Sequence, residues 1–328
     1  MAVIVTGAAG FLGRHLVTAL LEDGHEVAGF DNFVTSDRDD LAELLHRQQF
    51  VFHEMDVAGH DFRRVAGEID ATAIYHLACP TGVPNLGPLA LEMLEASYNG
   101  TRAVLDVARA DGATVVFASS AEVYGDPTVS PQHEGYTGNV DTLGPRKGYE
   151  EGKRVGETLC AVYAERYGVP AKIARIFNTY GPGMSLRETR VVPAFVRAAL
   201  SGASLLVHGD GSQLRCHTYA TDMVDGLRRV AQRGMPGAAY NLGSQDAKTV
   251  LATAQAVIAL TGSRSPIERV ERPAHDHEAR LPDTTRAERE LGWHPTTPFE
   301  VGLRLTVDDI ARRLEARRDA ATSVGSPT

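Results

Sequence analysis

The chain has 328 residues, 43% of them hydrophobic and 23% charged, with a formal net charge of −9. This is the composition of a folded protein with room for about two domains, not of a disordered chain. The acidic balance excludes a sequence-independent grip on nucleic-acid phosphates, and small-molecule partners are expected instead.

The opening MAVIVTGAAGFLG has no basic leader, and glycines break its apolar run too early for a signal peptide. No stretch approaches the roughly 18 apolar residues of a membrane span. A cytoplasmic protein without a membrane partner is the expectation. Cys79, Cys160 and Cys216 are odd in number and far apart, so free thiols are expected, with neither a disulfide framework nor a metal site.

In chain order, β-branched runs at 2–6, 26–31, 50–57, 73–78, 114–120 and 171–178 predict six buried strands. Leu12, Leu16, Ala19 and Leu20 recur at helical spacing between the first two, and Gly24 closes that segment. Strand and helix alternating in this way predict an α/β fold, a doubly wound parallel Rossmann sheet, over residues 1–178. Looser composition after Asn178 predicts a smaller substrate domain over 179–317, partly interleaved with the first, because TDMVDGLRRVAQ and AYNLG could return to it. Thr285 and Glu288 read as a capping box. Phe299, Leu303, Val307, Ile310 and Leu314 predict a last amphipathic helix, and 318–328 a disordered tail.

VTGAAGFLG sets Gly7, Gly10 and Gly13 between the first strand and the first helix. Glycines there let the backbone turn sharply and approach a pyrophosphate at the helix N-terminus. The second strand ends in Asp31, whose carboxylate can accept from a ribose diol and would repel a 2′-phosphate, so NAD is favoured over NADP. Asp56, ending the third strand, is placed to meet the adenine edge or else merely caps the next helix.

The fifth strand leads into SSAEVYG, and GPRKGYEEGKRVGE follows, with Tyr149 and Lys153 one helical turn apart. The glycine loop, a serine after strand five and Tyr-x-x-x-Lys, in this order, resemble the extended short-chain dehydrogenase/reductase family. Within it, HLACP, AEVYGDP, GPRKGYEEGKRVGETLC, ARIFNTYGP, RVV, GDGSQ and MVDGL are similar to the UDP-glucuronate decarboxylases, or UDP-xylose synthases.

The resemblance implies Ser120, Glu122, Tyr149 and Lys153 as catalytic residues. It implies an NAD site formed by Gly7, Gly10, Phe11, Leu12, Gly13, Asp31, Asn32, Asp56, Val57, Leu77 and Ala78 with Tyr149 and Lys153. Asn178 would lie against the nucleotide phosphates, Arg190, Val191 and Val192 would line a uridine pocket, and Arg215 and Arg280 would clamp the pyrophosphate. Tyr149 would be the base, its pKa lowered by Lys153 and the positive nicotinamide ring.

Oxidation at C4 would place a ketone β to the C5 carboxylate, so that carbon dioxide leaves an enolate. Protonation at C5 and return of hydride would then give UDP-xylose. Related 4,6-dehydratases carry an Asp-Glu pair where this chain has Ala121 and Glu122. Departures from the pattern are the 81–88 loop, Ala121, Ser97, Gly183 and His217, the last expected to be a packing substitution. They keep open release of a UDP-4-keto-pentose, 4-epimerisation of UDP-glucuronate, and a non-catalytic NAD-sensing scaffold. A homodimer is expected, through apolar stripes of Leu94, Tyr98, Leu105 and Ala108 on one helix and Val155, Leu159 and Val162 on another.

Overall fold

The computed structural model describes residues 1–272 and 279–324. Six parallel strands, β1 (Ala2–Thr6), β2 (Glu26–Asp31), β3 (Phe50–Glu54), β4 (Ala73–His76), β5 (Thr114–Ser120) and β6 (Ala171–Ile176), form the central sheet. A seventh strand, Ala239–Leu242, pairs parallel to β6 and completes the spatial order seventh-6-5-4-1-2-3. The order reverses between β1 and β4, the switch point where such sheets open a crevice at their carboxyl ends.

Alternate strand residues feed two cores. Val3 and Val5 face the helices Phe11–Glu22 and Ala220–Arg233, meeting Leu16, Leu20, Met223 and Leu227. Ile4 and Ile74 face the opposite layer, where Thr101–Asp111 and Lys147–Tyr167 supply Val104, Leu105, Cys160 and Tyr163. A third core packs Val192, Phe195 and Val196 of helix Val191–Ser201 against Val257 and against Phe299, Leu303, Val307 and Ile310 of the last helix. All three cysteines are free.

Three sequence expectations change. At the 285 turn the Asp283 carboxylate takes the Thr285 N–H at 2.9 Å and the Thr284 carbonyl takes the Glu288 N–H at 3.0 Å, so Asp283 caps it. The last helix continues from Phe299 to Val324, through 318–324 of the expected tail, and 325–328 lie outside the described residues. Leu105 and Ala108 of the expected surface stripe point into the core, whereas Leu91, Leu94, Tyr98 and Val162 are exposed.

Helix Lys147–Tyr167 lies unusually close to its neighbours because Gly148, Gly152 and Gly156 recur every fourth residue. A methyl group on Gly148 would stand 2.7 Å from the Ala90 carbonyl oxygen, on Gly152 2.9 Å from Ser97 Oγ, and on Gly156 2.3 Å from the Phe117 ring. Each position follows a helical turn, so the three bare backbones form one face against β5 and the Ala90–Gly100 segment. Tyr149 and Lys153 follow the first two glycines and are carried to the crevice by that contact. Ser119 Oγ donates to Glu157 at 2.5 Å and Arg175 grips the same carboxylate with two nitrogens at 2.7 and 2.9 Å, pinning the helix to the ends of β5 and β6.

Gly156→Ala should therefore lower unfolding free energy by about 1–3 kcal/mol, the usual cost of overpacking, despite alanine's better helix propensity. Urea titration of the purified variant checks this, and a midpoint at or above wild type would show that the ring can move aside freely.

Candidate functional site

The crevice at the carboxyl ends of the strands has a volume of about 330 Å³. On one side the phosphate-type turn is built by backbone alone. Gly7 has φ +71°, and a Cβ there would press within 2.8 Å of the Ala78 nitrogen. One on Gly13 would stand 2.0 Å from the Gly7 carbonyl oxygen. Helix Phe11–Glu22 starts after Gly10 with no side-chain cap, so its first-turn N–H groups serve the crevice that Gly10, Phe11, Leu12 and Gly13 line.

Asp31 is fixed by three donors: Ala9 N at 3.0 Å, Phe33 N at 2.9 Å and Ser36 Oγ at 2.9 Å. It links the glycine turn to the loop after β2. Asp56 does not cap the next helix, Phe62–Ala66, whose N-cap position is Asp61. It caps its own turn by accepting from Ala58 N at 2.8 Å, and it takes Asn32 Nδ2 at 3.1 Å, with both residues on the crevice wall. Val57, Leu77 and Ala78 complete that wall. Below it, buried His76 stands between Thr6 Oγ1 at 2.7 Å and Thr101 Oγ1 at 3.1 Å, and burial pulls its pKa down to about 3. It is a neutral strut.

Across the crevice stand Ser120, Glu122, Tyr149 and Lys153. Ser120 Oγ accepts from Glu122 N at 3.2 Å and hydrogen-bonds the Tyr149 phenol. Lys153 Nζ donates to the Ala118 carbonyl at 2.8 Å and lies 5.7 Å from the Tyr149 ring centre. The expected lowering of the Tyr149 pKa is not found in the protein by itself. Burial pushes it above the ordinary phenol value, with Cys79 and Glu122 adding to the rise, and Ser120 and Arg190 oppose it only in part. Desolvation of a phenolate exceeds what those partners return.

Glu122 Oε2 accepts from Arg146 at 2.8 Å and from Arg280 at 3.0 Å. Arg280 also donates to the Gly125 carbonyl at 3.2 Å, and its side chain is 8% exposed. Arg215 and Arg280 are register partners on adjacent strands; Arg280 lines the main crevice while gripping Glu122, and Arg215 lines a second cavity of about 430 Å³.

The RVV run divides likewise. Arg190 sits in the main crevice and donates to Glu188 at 2.7 Å, Val191 lines the second cavity, and Val192 is buried in the third core and lines neither cavity. Asn178 lines the main crevice beside Phe177. His217 stacks on Phe299 with ring centres 5.6 Å apart, and burial lowers its pKa to about 4, so it is a packing residue.

Sequence reasoning passed over Arg146, Glu150 and Cys79. Arg146 and Glu150 flank Tyr149 at helical spacing, a signal that was present but that describes most surface helices as well. Glu150 is instead 5% exposed and hydrogen-bonded to Glu122. Cys79 reaches Ser97 Oγ at 3.8 Å beneath Tyr149. Among the described residues no group of histidine, cysteine or acidic side chains could hold a metal ion, and no helix is long and apolar enough to cross a membrane.

A glycine turn whose Cβ positions are filled by backbone, an uncapped helix start and a fixed acid at the end of β2 together fit a dinucleotide, and define a Rossmann-type nicotinamide-nucleotide protein. Residues 3–243 match the model of the NAD dependent epimerase/dehydratase family, and the chain belongs to that family. It is 39% identical over 313 residues to UDP-glucuronic acid decarboxylase 1 of Danio rerio, covering 95% of this chain and 73% of that protein. It is 38% identical over 320 residues to UDP-glucuronic acid decarboxylase 5 of Arabidopsis thaliana, covering 97% and 92%. Its fold is similar to UDP-glucose 4-epimerase of Thermotoga maritima, solved with UDP-glucose, with a TM-score of 0.88 and 25% identity over 96% of this chain and all of that one.

Asp31→Ala would orphan the Ala9 and Phe33 amides and loosen the turn. Bonds to a charged group contribute about 1.5–3 kcal/mol, so NAD affinity should fall by about tenfold or more. Calorimetric titration of NAD checks this, and unchanged affinity would remove Asp31 from the cofactor site.

Proposed function

We propose that the protein converts UDP-glucuronate to UDP-xylose and carbon dioxide, with NAD retained through the cycle. The observation that carries this reading is the Ser120–Glu122–Tyr149 cluster in a chain that is similar almost end to end to UDP-glucuronic acid decarboxylases. Bound NAD supplies a hydride acceptor at C4 and later the donor that reduces the ketone.

Tyr149, as the phenolate that Lys153 and the positive nicotinamide ring of bound NAD would favour, takes the proton from the C4 hydroxyl, and Ser120, already bonded to the phenol, holds the same oxygen. Lys153 fixes the helix to the Ala118 carbonyl and keeps positive charge behind the phenol. When the carboxylate leaves as carbon dioxide, its electron pair spreads to the C4 oxygen, where these donors stand. Glu122, oriented by Arg146 and Arg280, serves the carbon from which carbon dioxide departs. Gly7, Gly10, Gly13, Asp31, Asn32, Asp56 and the Val57, Leu77 and Ala78 wall hold the cofactor. The second cavity, with Val191 and Arg215, takes the nucleotide end of the sugar nucleotide.

With limiting NAD, carbon dioxide and UDP-xylose should each form in many equivalents per NAD, and Tyr149→Phe should bind NAD normally while turning over about 10² to 10⁴ times more slowly. Carbon dioxide that stops at one equivalent per NAD without UDP-xylose would mean release of the keto sugar; sugar epimerised with no carbon dioxide would remove decarboxylation altogether.

The reading extends to a cytoplasmic enzyme with an NAD domain over 1–178 and a substrate domain beyond it. It also includes a homodimer formed where Leu91, Leu94 and Tyr98 of one helical segment and Val162 of another remain exposed. Two copies packing these helices would bury the patch about a two-fold axis. Light scattering at micromolar concentration should give about twice the chain mass, and Leu94→Glu together with Val162→Glu should halve it; a monomeric wild type would end the dimer proposal.

A further inference from the structure

Decarboxylation has a proton requirement that the oxidation and reduction do not meet. Tyr149 takes a proton from the C4 hydroxyl and returns one to it, and the hydride leaves and comes back, so those transfers cancel. Loss of carbon dioxide breaks the C5–C6 bond and leaves its electron pair in the enolate. That pair must form a new C5–H bond, which consumes one further proton per carbon dioxide. The source must be a group that is protonated at neutral pH, close to the sugar and connected to solvent over the full cycle.

Glu122 alone does not meet this need, because Arg146 and Arg280 both donate to its Oε2, and charge-assisted bonds favour the ionised acceptor. Its neighbour Glu150 supplies the protonated group, and Glu122 the contact with the crevice. Glu150 comes one residue after Tyr149 on helix Lys147–Tyr167, is 5% exposed, and hydrogen-bonds the Glu122 carboxyl. Two carboxyls in contact inside a protein ionise in two separated steps, so the pair retains one proton until the second step.

The surrounding charges are Arg146 at the entry to the same helix, Arg280 from strand Ala279–Arg280 and Glu122 itself from the turn after β5. Lys153 turns to the Ala118 carbonyl, and helix Ala90–Glu95, packed alongside, presents the Ala90 backbone to Gly148 and its Glu92 and Glu95 to the crevice. Burial and the adjacent Glu122 raise the Glu150 pKa to about 7, with Arg146 and Arg280 pulling the other way. Glu150 itself does not line the crevice, whereas Glu122 does.

We propose that Glu150 and Glu122 share one proton, and that Glu150, a positioning residue acting through Glu122, is the reservoir for the proton delivered to C5 after carbon dioxide leaves. This rests on the decarboxylase reading above. In the step, Glu150 passes the shared proton to Glu122 as Glu122 delivers it to C5, where the enolate pair forms the C5–H bond. Both carboxyls are then ionised, Glu122 paired with its two arginines, and one proton taken up from solvent restores the shared proton on Glu150 for the next cycle. No other oxidant or reductant enters.

The test compares wild type, Glu150→Gln and Glu150→Asp. Glutamine keeps the shape and can still hydrogen-bond Glu122, but has no proton to pass on. Wild-type kcat should be level below pH 7 and fall towards tenfold per pH unit above it, since only the protonated pair supplies C5. In Glu150→Gln, kcat should drop about 10²-fold at pH 6.5, KM for UDP-glucuronate and NAD affinity should stay within about threefold, and the falling limb should vanish. Glu150→Asp should restore part of the rate together with the limb.

An infrared titration of the NAD-bound protein should show a protonated carboxyl that ionises near pH 7 and is missing in Glu150→Gln. Turnover of Glu150→Gln within threefold of wild type, a loss confined to KM, or a retained limb would each overturn the reservoir while carbon dioxide release by the wild type upheld the decarboxylase. A wild type that releases no carbon dioxide would overturn both, and absence of the titrating carboxyl would overturn the shared proton whatever the substrate.

Discussion

The close approach of helix Lys147–Tyr167 to strand β5 is the constraint on which the site depends. Distances across the crevice are set by how near a helix backbone can come to a sheet, and three glycines at four-residue spacing set that distance here. Were the helix pushed out by one methyl layer, Lys153 would lose the Ala118 carbonyl and Tyr149 would part from Ser120. The Ser119–Glu157–Arg175 group works to the same end from the buried side, where a bidentate pair is worth more than on the surface. Position comes from packing, and chemistry from the two residues that packing carries.

Electrostatically the crevice is not a simple cationic pocket for an anionic sugar. Arginines and acids alternate across it: Arg190 with Glu188, Arg146 and Arg280 with Glu122, and Glu150 beyond. Each cation is partly neutralised by a partner, which lowers the cost of burying it and fixes its direction. The raised pKa of Tyr149 follows from the same seclusion. A phenol that stays protonated in the closed protein can only donate; to accept the C4 proton it must first become the phenolate, which Lys153 and the positive ring of a bound nicotinamide would favour.

The sheet was legible in the sequence because strand periodicity, the glycine turn and the switch from period 2 to period 3.6 all agree between residues 2 and 178. Asp31, Ser120, Tyr149 and Lys153 were legible because they lie at fixed offsets from those elements. What was not legible depended on contacts made across the chain. Arg280 looks like any arginine until strand Ala279–Arg280 brings it to Glu122, 158 positions away. Val192 carries the same pattern as Val191, yet a helix sends one to the core and the other to a cavity. Glu150 lies in a run of charges that reads as a solvated face, and its burial follows from Gly148 letting the helix settle against Ala90.

The seventh strand, Ala239–Leu242, and helix Ala220–Arg233 return to the first sheet after the chain has already begun the second lobe. The two lobes are thus sewn together by repeated crossings and share structural debts. A chain ended at 178 would retain the glycine turn, Tyr149 and Lys153, yet β6 would become a bare sheet edge and the face formed by Val3, Val5 and Tyr75 would lose Met223, Val224 and Leu227 as cover. For protein engineering this means that the nucleotide-holding half is not a detachable module: exchanging substrate lobes between relatives requires carrying over a non-contiguous set of segments, chosen by which side of the crevice they return to.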